Sequence, residues 1–370
     1  GAGHAPGPGG TLGVQVTGEG GVPASGVGAV VVNVTITDPT TAGYISVFPE
    51  GVARPVVSTL DFSPGESRAN LAEVAVGDNG QIAVYNSAGT TQVVVDVEGW
   101  YDSSAPTSGA GLYHAMAPQR LVDTRAGAGT PYSGQMLEAG HSLTVQVAGV
   151  DGVPSSGAEA AVFNVTVVDS TAPSVLAVYP TGTSAPTAST INFSTGQIIA
   201  NQDAVELGSG GKVTIYNFGP GATDVILDVA GWYTDGSAGA SSGASFNVLI
   251  PTRVVDTRAG SGRPDAGDTL AADETFHSQF SGLNGIPSGS ASGVVLNVTV
   301  TDTTANGYLA VFPDGQPLPA TSEMDWALRG QTTENAVVVG LSGAGEADFS
   351  NQSLGRTDLI IDLSGWFGAE

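Results

Sequence analysis

The sequence predicts an all-β protein made of three tandem β-sandwich or jelly-roll-like domains. One strand pattern occurs three times, turn-forming residues separate short alternating segments, and the composition disfavours helix. The 370 residues include 54 Gly and 21 Pro but only one lysine. Because 41% of the residues are apolar, the chain can bury real cores, and its glycines indicate turns rather than disorder.

Two strand patterns define the repeat, each recurring at intervals of about 130 residues. The first is an Asn-Val-Thr strand with its asparagine at Asn33, Asn164 and Asn297. The second is an Asp-Val-x-Gly-Trp-Tyr strand that ends at Tyr101, Tyr233 and, in a variant form, Phe367. A period of this length is too long for a solenoid rung or a propeller blade, so each copy is expected to be a domain of roughly eight strands.

The predicted copies span residues 1–105, 112–234 and 246–370. Stretches rich in Gly, Ser and Ala, at 102–111 and 234–245, are typical of linkers between domains. The three copies would lie either around a pseudo-threefold axis or in a linear string. The sequence leaves both arrangements open.

Each copy also contains a glycine-rich turn signal, which begins at Gly77, Gly208 and Gly343. Residues that adopt positive φ at low cost favour tight hairpins, so we expect a hairpin at each of these places.

The Asn-Val-Thr strand has the alternation of a half-buried strand. In the first copy Val32 and Val34 share an apolar face, while Asn33 and Thr35 share the polar one. The asparagine is therefore expected to hydrogen-bond a neighbouring strand, with N-glycosylation of the Asn-Val-Thr sequon as the alternative.

Four of the ten basic residues lie in a Pro-x-Arg-x-x-Asp-Thr-Arg segment at the head of the second and third copies. Arginines concentrated in this way predict a fixed ion-pair network, with a ligand-binding arginine pair as the alternative. Their expected partners are the aspartates of the Asp-Val-x-Gly-Trp-Tyr strand, which alternate with core residues. The predicted network comprises Arg120, Asp123, Arg125, Asp228, Arg253, Asp256, Arg258, Asp362 and Asp96.

The first copy lacks this segment, since Gly1 aligns just past the position of Arg125. We expect its opening strand to be missing. The natural protein would then continue upstream, or the strand would have been removed, or an equivalent strand would come from another chain. Strand donation of the last kind closes an exposed sheet edge and links subunits.

Adjacent aromatic residues recur once per copy and are the candidate ligand-binding residues. Neighbouring residues on a strand face opposite ways, so one ring of each pair could stack on a sugar while the other lies in the core. The candidates are Trp100, Tyr101, Trp232, Tyr233, Trp366 and Phe367.

Composition and motifs argue against several classes of function. The chain has no cysteine, no catalytic or phosphate-binding motif and no metal-binding pattern, so we expect no enzyme activity, metal or cofactor. Its net charge of −25 disfavours nucleic acid and anionic membrane surfaces, and no apolar segment is long enough for membrane insertion.

The motifs Pro-x-Arg-x-x-Asp-Thr-Arg, Asn-Val-Thr and Asp-Val-x-Gly-Trp-Tyr together resemble a repeat of secreted, cell-wall-associated proteins of high-GC Gram-positive bacteria. The resemblance covers nearly the whole chain and implies an extracellular, cell-surface or cell-wall location. It implies no particular activity.

The function expected from the sequence is that of a non-catalytic structural or adhesive surface protein. Its partners would be further copies of itself or other surface proteins, joined into a filament or array by strand pairing. A carbohydrate- or cell-wall-binding module is the first alternative, with glycans as partners, and a component of a virion surface or tail is the second.

Overall fold

The computed structural model describes residues 5–104, 109–237 and 242–369. These residues form 23 β-strands and one turn of 3-10 helix at Asp78–Gly80. The strands group into six antiparallel sheets, two for each copy of the repeat. The predicted all-β class with three tandem sandwich domains is confirmed.

The first copy contributes seven strands among the described residues. They are β1 Thr11–Gln15, β2 Val27–Thr37, β3 Gly43–Pro49, β4 Leu60–Phe62, β5 Arg68–Ala75, β6 Gln81–Asn86 and β7 Gln92–Asp102.

The second copy contributes eight strands. They are β8 Ala110–Asp123, β9 Ser142–Gln146, β10 Ala158–Val168, β11 Ser174–Pro180, β12 Ile191–Phe193, β13 Ile199–Glu206, β14 Lys212–Asn217 and β15 Asp224–Asp235.

The third copy also contributes eight strands. They are β16 Ser245–Asp256, β17 Thr275–Gln279, β18 Ala291–Thr301, β19 Gly307–Pro313, β20 Met324–Trp326, β21 Thr333–Gly340, β22 Glu346–Ser353 and β23 Asp358–Gly368.

Each copy is a sandwich of an outer and an axial sheet. The outer sheets have the strand orders β1-β6-β3-β4, β9-β14-β11-β12 and β17-β22-β19-β20. The axial sheets, which lie toward the other copies, have the orders β5-β2-β7, β13-β10-β15-β8 and β16-β23-β18-β21. Each sandwich has its own core of valine, leucine, isoleucine and aromatic side chains. Two further apolar clusters lie between the copies.

The glycine-rich segments are turns, as predicted, but they do not form hairpins. Gly77–Gln81 joins β5 in the axial sheet to β6 in the outer sheet, and Asn79 and Gly80 adopt positive φ. The corresponding turns of the other copies also cross between sheets. Positive φ allows the chain to reverse, but it does not decide whether the next strand pairs with the last one or crosses the sandwich.

The Asn-Val-Thr strands are buried on both faces, which corrects the prediction of half-buried strands. In β2, Val32 and Val34 face the core of their own copy, and Asn33 and Thr35 are also almost inaccessible. A neighbouring copy covers the polar face. Period-2 alternation identifies the apolar face, but it cannot show that a second domain packs on the other one.

A buried hydrogen-bond cluster joins the first copy to the second. The Asn33 side-chain amide donates to the carbonyl oxygens of Ser189 and Thr190 at 2.5 and 3.2 Å. In return, Asn201 donates to Asn33 Oδ1 at 3.0 Å and accepts from the backbone amide of Leu71 at 3.1 Å. Nearly every polar atom of the two asparagines therefore has a partner, which is what burial of an amide requires.

The same cluster recurs at the other two junctions. Asn335 of the third copy donates to Oδ1 of Asn164 in the second at 2.8 Å. Asn70 of the first copy donates to Oδ1 of Asn297 in the third at 2.8 Å. Because the first copy bonds the second, the second bonds the third and the third bonds the first, the three copies surround a pseudo-threefold axis. The linear string is excluded.

These contacts also settle where the sequons lie. Asn33, Asn164 and Asn297 are 1%, 1% and 8% exposed, so the folded chain offers no room for a glycan at any of them. The predicted hydrogen-bonding role is correct, but the partner is another copy of the repeat rather than a neighbouring strand of the same sheet.

The junction between the third and first copies has an additional ion pair. Arg68 Nε lies 2.9 Å from Glu334 Oε1, and the Arg68 guanidinium donates to Thr333 Oγ1 at 2.8 Å. Both charged side chains are buried. Ile199 and Ala200 of the second copy occupy the positions that correspond to Arg68 and Ala69 in the first. The pair is therefore specific to the junction that closes the ring.

We expect replacement of Asn33, Asn164 or Asn297 by alanine to lower the free energy of unfolding by about 1–3 kcal/mol, since each change leaves buried polar groups without a partner. The measurement is the urea midpoint of each variant. Gln316→Ala, an exposed position with no described side-chain hydrogen bond, is the matched control and should change stability by less than about 0.5 kcal/mol. Equal effects in the asparagine and control variants would contradict the structural role of the clusters.

Candidate functional site

The second copy holds one half of the predicted ion-pair network. Strand β8 pairs with β15 and places Arg120 opposite Asp228. The Arg120 guanidinium binds the buried Asp228 carboxylate through two hydrogen bonds of 2.8 and 2.9 Å. Arg125 binds Asp123 in the same way, at 2.9 and 2.6 Å. Paired hydrogen bonds of this kind suit the planar guanidinium and fix its orientation.

The third copy repeats this geometry. Arg253 binds Asp362 at 2.8 and 2.9 Å, and Arg258 binds Asp256 at 2.8 and 2.7 Å. The Asp362 carboxylate also accepts a hydrogen bond of 3.3 Å from the backbone amide of Ser58 in the first copy. The Arg253–Asp362 pair therefore lies beside the junction between the third and first copies.

The threonine of the Asp-Thr-Arg segment has a structural role that the sequence analysis did not identify. Thr124 donates to Asp224 Oδ1 at 2.6 Å, and Thr257 donates to Asp358 Oδ1 at 3.0 Å. Asp224 and Asp358 each lie four residues before the aspartate that binds arginine, so the repeat itself carried the signal. The corresponding residue of the first copy is Gln92.

Among the described residues, the first copy has no such network. Its axial sheet has three strands, β5-β2-β7, and no strand of the described residues pairs with the outer edge of β7. Asp96, which lies opposite Asn33 as Asp228 lies opposite Asn164, has no ion pair in the described part of the chain. The sequence grouped Asp96 with the paired aspartates, and the structure does not bring it to an arginine.

Because no described strand lies beside its outer edge, β7 is more exposed than its counterparts. Val94 is 46% exposed, whereas Ile226 and Ile360, at the same position of the other copies, are 4% and 5% exposed. The difference arises because β8 and β16 cover the corresponding isoleucines.

Two carboxyl groups of β7 lie close to a third from the second copy, and no described cation pairs with any of them. Burial raises the pKa of Asp96, although a hydrogen bond from the Ser189 backbone opposes the shift. Burial, together with the charges of Asp203 and Asp96, raises the pKa of Glu98 to about 8. Burial raises the pKa of Asp203, in the second copy, to about 7. These three carboxyls meet where the first and second copies join.

We expect Asp228→Asn and Asp362→Asn to destabilise the protein by roughly 3 kcal/mol at pH 8, because each leaves a partly buried arginine without its carboxylate. Asp96→Asn should instead leave stability unchanged or increase it, since it removes a charge that has no cation. Urea unfolding of the three variants makes the comparison. A loss for Asp96→Asn as large as that for Asp228→Asn would mean that Asp96 already has a cationic partner.

Three aromatic rings surround the pseudo-threefold axis. Tyr101, Tyr233 and Phe367 come from equivalent positions, and their ring centroids are 6.3, 6.4 and 6.3 Å apart. The Tyr101 and Tyr233 hydroxyls lie 2.6 Å apart, and Tyr101 donates to Glu73 Oε2 at 2.9 Å. Apolar contact and one buried hydrogen-bond chain therefore occupy the axis.

Two further rings fill the gaps of this triangle. Tyr113 of β8 lies between Tyr233 and Phe367, with centroid distances of 5.0 and 4.3 Å. Phe246 of β16 lies between Phe367 and Tyr101, at 5.2 and 4.3 Å. Neither residue was predicted from the sequence, although each lies seven positions before the first arginine of its segment.

The prediction of one exposed sugar-stacking ring per copy is wrong. Trp366 and Phe367 are buried, and the His114 ring lies parallel to Trp232 with a centroid distance of 4.0 Å. Only Trp100 of the six candidates is largely exposed, at 45%. Trp366 packs in the core of its own sandwich and Trp232 packs against that of the second copy, whereas Phe367 lies in the apolar cluster between the copies.

Buried carboxyls distant from any cation give the fold an unusual pH dependence. Burial raises the pKa of Glu73 to about 7 and that of Glu323 to about 8. Glu323 occupies the place of Thr59 and Thr190 in the other copies, and its Oε2 has no hydrogen-bond partner.

We expect the protein to become more stable on acidification from pH 8 to pH 5. In this window the folded state holds protons on Glu73, Glu98, Asp203 and Glu323 that the unfolded chain, with carboxyl pKa values near 4, has released. Stability is therefore lost as the pH rises through the folded values of about 7 and 8. Thermal melts across this range test the direction, and Glu323→Gln should raise the melting temperature at pH 8 more than at pH 5. A melting temperature that falls on acidification to pH 5 would contradict the assignment.

One group of side chains has the ligand types of a metal site. His277 Nδ1 lies 2.7 Å from Asp348 Oδ1 and 3.5 Å from Asp314 Oδ1. A hydrogen bond to Asp348 raises the pKa of His277, so an ion pair accounts for the contact. Thr181 and Thr214 replace the two aspartates in the second copy and bond each other at 2.8 Å. The group is therefore not a feature of the repeat.

Comparison with known proteins gives no family. No family model matches the chain, and no curated protein matches it in sequence. Among solved structures, it is similar to a chain in the atomic structure of Sulfolobus turreted icosahedral virus, with 8% identity, a TM-score of 0.21 and coverage of 98% of this chain and 84% of that one. It is also similar to a structure described as the triple jelly-roll fold and turret assembly of an archaeal virus, with 9% identity, a TM-score of 0.22 and the same coverage. TM-scores this low carry no argument about function.

Proposed function

We propose that the chain is a non-catalytic structural or adhesive component of an extracellular surface, joined to other chains through the free edge of β7. The proposed location follows the resemblance of its motifs to those of secreted, cell-wall-associated proteins. The observation that carries the proposal is the open edge of one axial sheet in an otherwise closed ring of three copies.

The way the repeated polar groups are used supports a structural role. The asparagines, aspartates and arginines that recur from copy to copy bond one another inside a copy or across a junction. Groups held in this way contribute rigidity, and they are not available to act on a substrate. The proposal therefore includes no catalytic activity and no cofactor.

An unpaired strand edge is a ready attachment point. Its main-chain amides and carbonyls bond another strand, and natural sheets usually protect such edges with charge, proline or a covering segment. The β7 edge has the carboxyl groups of Asp96 and Glu98, but it also has an exposed valine and an exposed tryptophan, and no described strand covers it. The part of the chain that the structure describes contains no helix long and apolar enough to span a membrane.

A carbohydrate- or cell-wall-binding module is the first alternative. Among the six candidate rings, only that of Trp100 is exposed enough to stack on a sugar. Multivalent binding requires equal sites in all three copies, and only Trp100 is largely exposed among the repeated aromatics. A glycan site in this protein would therefore be single and would lie beside the β7 edge.

A virion component is the second alternative. Three jelly-roll-like copies around a pseudo-threefold axis would suit a subunit that fills a threefold position of a larger assembly. The descriptions of the two similar structures name viral assemblies, but their TM-scores are too low to support this role.

We expect purified protein to form oligomers or filaments whose abundance rises with concentration, as seen by mass photometry and negative-stain imaging. Val94→Lys should suppress them, because it places a charge on the free edge. Leu354→Lys, at a 90% exposed residue away from this edge, is the control and should assemble like the wild type. A monomer at every concentration, or assembly that Val94→Lys does not reduce, would refute self-association through β7.

A further inference from the structure

The glycine of the Asp-Val-x-Gly-Trp-Tyr strand makes room for an aromatic ring in two of the three copies. A Cβ atom at Gly231 would clash with the ring and hydroxyl of Tyr113, and one at Gly365 would clash with the ring of Phe246. In both cases the ring belongs to the strand that pairs with the outer edge, β8 or β16. At Gly99 of the first copy a Cβ would have nothing within 4 Å. Gly99 thus provides space that no described part of the chain uses.

The pseudo-threefold arrangement shows what this space would accept. Tyr113 and Phe246 fill two of the three gaps between the axial rings. The third gap lies between Tyr101 and Tyr233, and a cavity of about 860 Å³ opens there, lined by Gly99, Trp100 and Phe246 in addition to the two tyrosines. Symmetry therefore leaves a place for one more aromatic ring, on a strand along β7.

The charge along β7 specifies a second residue of that strand. Asp96 occupies the register at which Asp228 and Asp362 bind Arg120 and Arg253. A guanidinium opposite Asp96 would also stabilise the ionised form of Glu98 nearby. In both complete copies this arginine follows the aromatic residue by seven positions.

We propose that the outer edge of β7 is an acceptor groove for an extended segment of another polypeptide with the pattern aromatic-x6-Arg-x2-Asp-Thr-Arg. The aromatic ring lies over Gly99 between Tyr101 and Tyr233, and the arginine binds Asp96. The threonine and the last arginine lie beside Gln92, where β7 begins.

The energetics of the groove combine three kinds of contact. The backbone of the segment adds a fourth strand to the axial sheet by β-augmentation, which supplies affinity through main-chain hydrogen bonds. Burial of one ring in an existing cavity and one paired arginine-carboxylate contact supply specificity. This inference rests on the attachment role proposed for β7 and names the partner that the edge selects.

The test uses a fluorescein-labelled peptide with the sequence of residues 112–125, which contains Tyr113, Arg120 and the Asp-Thr-Arg segment. Fluorescence polarisation against the full chain should show saturable binding. Peptides that carry Tyr113→Ala or Arg120→Ala should bind at least about tenfold more weakly, because each loses a specific contact of the groove.

Two protein variants locate the binding to β7. Gly99→Val fills space that none of the described residues occupies, so this variant should keep its melting temperature and lose peptide binding. Asp96→Asn should weaken binding of the wild-type peptide by about tenfold and leave binding of the Arg120→Ala peptide unchanged. Both variants retain β15 and β23, so any peptide that merely displaces β8 or β16 would bind them as well as it binds the wild type.

Each outcome has one meaning for the groove. Absence of saturable binding, or equal binding by the wild type and Gly99→Val, overturns the proposal. Peptide binding by a protein that stays monomeric at every concentration supports the groove and refutes self-association. Concentration-dependent assembly without peptide binding overturns the groove and leaves the structural role proposed above in place.

Discussion

The arrangement of the three copies depends on buried asparagine side chains that bond across each junction. An amide buried without partners costs free energy, whereas one with its donors and acceptor satisfied fixes the relative position of two surfaces to within a hydrogen-bond length. Apolar packing between the copies is non-directional and does not fix such a position. The asparagine clusters therefore determine the register of the ring, and the aromatic triangle forms in the position that this register allows.

The sequence predicted the fold class because the repeat and the strand alternation are local properties. It also predicted the arginine-aspartate pairs, since ten basic residues in 370 make any concentration of them informative. It failed wherever one copy acts on another. The polar face of β2 has the pattern of a solvent-facing surface, and Phe367 has the pattern of a ring that could be exposed. Neither pattern records that another domain covers it.

Departures from symmetry are the most informative features of the molecule. The first copy retains Asp96 and Gly99. Their counterparts in the other two copies have clear physical roles, since the aspartates bind an arginine and the glycines accommodate an aromatic ring. Arg68 and Glu334 show the opposite case, an ion pair present at one junction only. Comparison among the copies thus separates what the architecture requires from what a single position adds, without any second protein as reference.

The closed ring also has a consequence for the order in which the protein can fold. The Asn70 amide bonds Asn297, so the first copy contacts a residue that is synthesised more than 200 positions later. A nascent chain with only one or two finished copies would expose its buried polar surfaces and lack the partners that satisfy them. Contacts of such long sequence separation form slowly. Completion of the third copy is therefore the event that commits the whole chain, and a truncated product would be a substrate for chaperones or proteases.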